Sequence, residues 1–138
     1  MPPLSYSVTE TVCIYCGVGC GLNVEVIDGQ VARVLPARSH PVSQGKLCIK
    51  GWNAAGFVSH ADRLRTPLIR RDGALVPASW DVALDLVAEK LSRAVEESGA
   101  DSLGLLSSAK CSNEENYLLQ KLARAVIGTN NVDHCARL

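Results

Sequence analysis

The chain has 138 residues, 47% of them apolar, with 14 Lys and Arg balancing 14 Asp and Glu. That balance provides no general attraction to nucleic acid or to a membrane surface, and the apolar share suits a folded chain rather than a disordered one. The length allows one domain, or one small domain with part of another.

From Met1 to Tyr6 there is no basic segment, apolar core or twin arginine, and no apolar run approaches the roughly 18–20 residues of a membrane span. A cytoplasmic protein is expected, where thiols stay reduced and clusters are assembled.

Cys13, Cys16, Cys20 and Cys48 follow in the pattern C-x2-C-x3-C-x27-C. Three thiols within eight residues can wrap three corners of a compact cluster, and a distant fourth can close it. A [4Fe–4S] cube takes one thiolate at each iron, so this spacing points to such a cluster. Gly17, Gly19 and Gly21 interleave with Cys16 and Cys20 and let the backbone coil tightly, with its N–H groups towards sulfur. A structural zinc site prefers two short C-x2-C pairs and would leave one of the three clustered cysteines surplus. Six cysteines could also pair as disulfides, but the chain shows no secretory feature and its apolar content does not need staples. The two-cluster ferredoxin run C-x2-C-x2-C-x3-C-P is absent. Cys111 and Cys135 fall outside the spacing, and Cys111 follows a strand, where an inert thiol is commoner.

Leu22, Val24 and Val26 alternate with Asn23 and Glu25; Asp28-Gly29 is a two-residue turn signal, and Val31 to Leu35 return. This predicts a β-hairpin with a type I′ turn, placed to fold Cys48 back towards the other cysteines. Residues 36–47, rich in Pro, Ser, His and Gly, read as loop. His40 and His60 are expected at the surface. Asp72-Gly73 joins Leu68–Arg70 to Ala74–Val76 in a second short hairpin.

After Pro77 the apolar period changes from two to about 3.6. Ser79 caps a helix with the stripe Trp80, Leu84, Val87, Leu91, Ala94 and Val95, ended by Gly99. Leu103 to Leu106 reads as a short buried strand. Ser112-x-x-Glu115 is a capping box opening a second helix near Asn113, with the stripe Leu118, Leu119, Leu122, Ala123, Val126 and Ile127, stopped by Gly128. Trp80 and both stripes are expected in the core, and Asn130-Asn131-Val132 leads into a new strand or loop. Fold class is therefore α/β, an α+β mix: a hairpin-rich cluster domain over 1–68, then over 69–138 the start of an α/β layer.

The cysteine spacing, the step Cys48-Ile49-Lys50-Gly51, the segment Ser107 to Tyr117 and the ending Gly128 to Leu138 together resemble the molybdopterin oxidoreductases. Within them the ending Asn130-Asn131-Val132-Asp133-His134-Cys135-Ala136-Arg137 leans towards the catalytic subunit of molybdenum- or tungsten-dependent formate dehydrogenases. The resemblance runs from about Val12 to Leu138.

It implies a [4Fe–4S] cluster on the four cysteines and a relay position for Lys50, between that cluster and the nearer pterin. It also implies contacts from Ser107, Ser108 and Asn113 to a pterin guanine dinucleotide, with the free N–H groups of a helix start offered to its pyrophosphate. Lys110 stands near a position where relatives often carry arginine. The region 69–138 would begin the molybdopterin-binding domain, and the partners would be the remainder of the catalytic subunit and an electron-accepting Fe–S or flavin subunit. No catalytic residue falls within the chain: the metal-ligating cysteine or selenocysteine would come immediately after Leu138, with the catalytic histidine and arginine beyond. A selenocysteine codon read as a stop would account for that length. Two alternatives stand beside this reading: a free-standing [4Fe–4S] electron-transfer module, and the N-terminal part of a related enzyme such as an assimilatory nitrate reductase.

Overall fold

The structure is a computed structural model that describes residues 3–135; the first two residues of the N-terminal stretch and the last three of the family-like ending lie outside it. The chain divides into two compact units. One takes the residues up to Arg63, together with Ser107–Tyr117 and those from His134 on; the other takes Leu64–Leu106 and Leu118–Asp133.

The first unit is built on a three-stranded antiparallel sheet in the order β1 (Tyr6–Val12), β2 (Gly21–Ile27), β3 (Gln30–Pro36). Asp28 and Gly29 have φ of 48° and 76°, the pair of positive values that a type I′ turn requires. Strand β1 was not foreseen. It pairs along the whole of β2, from Tyr6 opposite Ile27 to Val12 opposite Gly21. Leu22 and Val34 pack with Cys13 and Ala54 into the core, against which Tyr15, Cys20, Val24 and Leu47 lean.

Glu25 departs from the expected polar face, because it is buried on β2, opposite Arg33 of β3. The Arg33 Nε–H donates to it at 2.5 Å, and the Tyr6 hydroxyl, one diagonal step away on β1, donates as well. Arg33 above all holds its carboxyl below the usual range; Tyr6 adds to this, and burial works against it.

After a loop of turns, helix α1 (Ile49–Trp52) follows Cys48 directly, another element that periodicity could not reveal in four residues.

In the second unit β4 (Leu68–Arg71) and β5 (Ala74–Pro77) form the expected hairpin, Asp72 and Gly73 having φ of 49° and 83°. Helix α2 (Trp80–Ser98) is capped by the Ser79 hydroxyl, which accepts the Val82 N–H at 3.3 Å. A 3-10 turn over Ala100–Ser102 leads to β6 (Leu105–Ser108), two residues later than the apolar run suggested. Helix α3 (Asn113–Lys121) opens on the capping box: Ser112 N–H donates to Glu115 Oε2 at 2.7 Å, and Glu115 N–H to Ser112 Oγ at 3.2 Å. It then widens into a π turn over Leu122–Ile127, closed by Gly128 in the left-handed region. Strand β7 (Val132–Cys135) pairs with β6. Leu105 N–H donates to Asn131 O and Ala109 N–H to Cys135 O, an equal advance on both strands, so the pair is parallel and β6, α3 and β7 make a βαβ unit.

The expected core of this unit is corrected. Trp80 is 67% exposed, and Leu84, Val87, Leu118 and Val126 are also exposed, while Ala123 is fully buried. Leu106 lies 83% exposed, so β6 is not a buried strand here. The stripes are where the period puts them, but no layer of the described residues covers them. No helix among the described residues is long and apolar enough to cross a membrane.

Candidate cluster site

The end of β1 and the start of β2 bracket the first three cysteines. Cys13 is buried just after β1, and its N–H donates to Cys20 O at 2.8 Å, closing the loop at its base. Gly19 takes φ 69°, where a side chain would be strained, and a Cβ at Gly21 would lie 2.4 Å from the His40 ring. Gly21 is held further by its N–H to Ser43 Oγ at 3.1 Å. His40 is thus packed against the loop, its Nδ1 buried with no hydrogen-bond partner among the described residues; the expectation of a surface histidine is corrected. His60 is exposed, as expected.

Cys48 lies at the N-cap of α1, ahead of the backbone N–H groups of Lys50 and Gly51, with no cap hydrogen bond from its side chain. The backbone N–H groups of the helix start, Gly51 first and then Lys50, hold its thiol below the ordinary value, and the Lys50 ammonium adds to the effect. A Cβ at Gly51 would meet Leu47 at 3.3 Å, so a small residue is favoured there. Burial pushes the Cys20 thiol up, and the charges of Cys13, Cys16 and Cys48 push it further. Cys13, Cys16 and Cys48, spread with Cys20 over 36 residues, are therefore near enough to act on the Cys20 thiol. None of the six is in a disulfide. Among the described residues no group of three or more Cys, His, Asp or Glu closes round a single metal ion. Soft sulfur donors are the ligand type that iron–sulfur clusters take.

Lys50 is exposed and its ammonium makes no hydrogen bond or ion pair among the described residues. Ser107 and Ser108 are tied together by a residue the sequence does not single out. Asn116 accepts from the Ser107 hydroxyl and donates through Nδ2 to Ser108 O at 3.1 Å, and Lys110 N–H donates to Ser108 Oγ at 3.0 Å. Asn113 Nδ2 donates to Gly17 O at 2.9 Å, inside the cysteine loop. The start of α3 offers a pyrophosphate less than the sequence suggests, because the capping box takes two N–H groups and Glu114 and Glu115 bring negative charge.

Comparison with known proteins agrees with this geometry. Residues 6–60 match the model of the molybdopterin oxidoreductase Fe4S4 domain, and residues 63–138 that of the molybdopterin oxidoreductases. The chain is 53% identical over 129 residues to the F420-dependent formate dehydrogenase 1 subunit alpha of Methanococcus maripaludis, covering 94% of this chain and 18% of that one. It is 46% identical over 129 residues to the putative formate dehydrogenase YrhE of Bacillus subtilis, covering 94% and 13%. Among solved structures, the acetylene hydratase from Pelobacter acetylenicus superposes with a TM-score of 0.73 at 28% identity, over 91% of this chain and 18% of that one. The chain thus spans less than a fifth of the length of these relatives. With a match to its models on either side of residues 61–62, the chain belongs to the molybdopterin oxidoreductase family, whose Fe4S4 domain it carries at residues 6–60.

Proposed function

We propose that this chain is the cluster-holding N-terminal portion of a formate dehydrogenase catalytic subunit, with Cys13, Cys16, Cys20 and Cys48 as the ligands of a [4Fe–4S] cluster. The spacing C-x2-C-x3-C-x27-C, lying whole within the matched Fe4S4 span, carries the reading. The names of the relatives support formate as substrate, while the acetylene hydratase match indicates that one framework hosts more than one chemistry.

When bound, the molybdenum- or tungsten-pterin group supplies the two-electron oxidation of formate to carbon dioxide and a proton. The residues of this chain then have separable tasks. The four thiolates hold the cluster, and the N–H groups of Gly51 and Lys50 stabilise negative charge on Cys48. The Lys50 ammonium serves as a relay position, a cation that favours the electron-rich states on either side. Ser107, Ser108 and Asn113 form the dinucleotide-facing loop and helix start. We place the boundary between the cluster domain and the pterin domain at residues 68 and 69. Electrons would leave through the cluster to an Fe–S or flavin subunit of a cytoplasmic enzyme, with the remainder of the catalytic subunit completing the site.

Iron and acid-labile sulfide per chain after anaerobic reconstitution test the ligand set. Cys→Ser replacement at any of positions 13, 16, 20 or 48 is expected to remove the cube, because serine oxygen lacks the soft donation of sulfur. Replacement at Cys111 or Cys135 should leave it intact. Full iron loading in Cys48→Ser would sink the fourth ligand. Formate turnover by the full-length enzyme tests the substrate, and nitrate reduction without formate oxidation would move the chain to the nitrate reductases.

A further inference from the structure

Between Cys16 and Cys20 lie only Gly17, Val18 and Gly19. Two glycines in three residues give that loop many backbone conformers, so a fixed spacing of the flanking thiols needs ties from outside. One tie is at the base, from Cys13 N–H to Cys20 O. The other reaches the middle across 96 residues of sequence, from Asn113 Nδ2 to Gly17 O at 2.9 Å. The approach is close enough that a Cβ on Gly17 would lie 2.8 Å from Asn113 Oδ1 and push the amide aside.

Asn113 is well placed to hold something still. It is the first residue of α3, beside the reciprocal capping box of Ser112 and Glu115 and one turn from Asn116, which fastens Ser107 and Ser108. A trans peptide is planar and its C=O and N–H point opposite ways. With Gly17 O directed at Asn113, the Val18 N–H is directed away from it, and this peptide cannot turn over without breaking the bond. Cluster potentials respond to hydrogen bonds and backbone dipoles around the sulfurs.

We infer that Asn113 is a positioning residue for the cluster: its amide fixes the Gly17–Val18 peptide between two ligands and so sets the cluster's reduction potential. The inference rests on the proposed ligand set, and the experiment separates the two. In the full-length holoprotein, the cluster is titrated by EPR-monitored potentiometry in wild type, Asn113→Ala and Gly17→Ala. Asn113→Ser stands in where the alanine variant does not accumulate. Both kinds of variant are expected to change the oxidised-to-reduced ratio at the wild-type midpoint by about two- to threefold, the low end for one exposed hydrogen bond. Iron content should hold, and any fall in melting temperature should stay within the few degrees that one hydrogen bond accounts for. Since a merely structural role moves stability and leaves the potential alone, the potential decides. An unchanged midpoint in both variants at full iron overturns the inference, as does loss of pterin guanine dinucleotide at an unchanged midpoint. Retention of full iron by Cys16→Ser would instead strike the ligand set.

Discussion

Glu25 is a carboxylate on a β-strand, buried, yet kept ionised by an arginine across the ladder and a tyrosine on the diagonal. Its carboxyl titrates lower in the folded chain than in the unfolded one, so its contribution to stability is full above the unfolded value of about 4.3. It is lost as pH falls through the depressed folded value. Glu25→Gln should therefore melt at a lower temperature than wild type at pH 7, and the gap should close on going to pH 3; circular dichroism melts at both pH values check it. The alternation that sets Glu25 on the face opposite Leu22, Val24 and Val26 describes a two-stranded hairpin. A third strand, carrying Tyr6, changes its surroundings. Residue by residue, legibility follows range along the chain. The capping box is local and can be read directly. Nothing local marks Asn113 as the partner of Gly17, or His40 as the wall behind Gly21, because only the fold brings these pairs together.

At the scale of elements, both Asp-Gly turns, Ser79 as a cap and Gly99 and Gly128 as stops stand where sequence put them, since each is fixed by backbone geometry within a few residues. Strand β1 carries a weak signal, in which Tyr6, Val8 and Val12 alternate with Ser7, Thr9 and Thr11. The start of β6 was misplaced because ladder hydrogen bonds, not apolar runs, decide where a strand begins. The π turn over Leu122–Ile127 also escaped a 3.6-residue period. Its last bond runs from Gly128 N–H to Ala123 O at 2.8 Å, and Gly128 has φ 86° and ψ 24°. A Cβ at Gly128 would meet only Ala100, at 3.9 Å, so the cost of a side chain is in the backbone. Gly128→Ala is expected to destabilise by about 1 kcal/mol and Gly128→Asn by less, asparagine tolerating the left-handed region better. Midpoints of urea unfolding at an unchanged m-value measure it.

At the scale of the molecule, α2 and the π turn line a groove with Leu84, Val87, Leu91, Val95, Leu122 and Val126. Several of these side chains are more than half exposed, an unusual apolar surface for a folded unit. The 138-residue chain produced by itself should bind an apolar dye, and Leu84→Lys with Val87→Glu should reduce the fluorescence by more than half; unchanged binding would place the dye elsewhere. A different consequence follows from the bond between Asn113 and Gly17. A ribosome adds about 5–20 residues per second, so the 96 positions separating the two take about 5–20 s to make. For that interval the sheet of β1, β2 and β3 can form from adjacent strands, but the cysteine loop has only its lower tie. The nascent chain therefore passes through a stage with its thiols assembled on a scaffold and their loop still loose. That stage offers assembly machinery an open loop to load, and offers oxidants an open loop to damage.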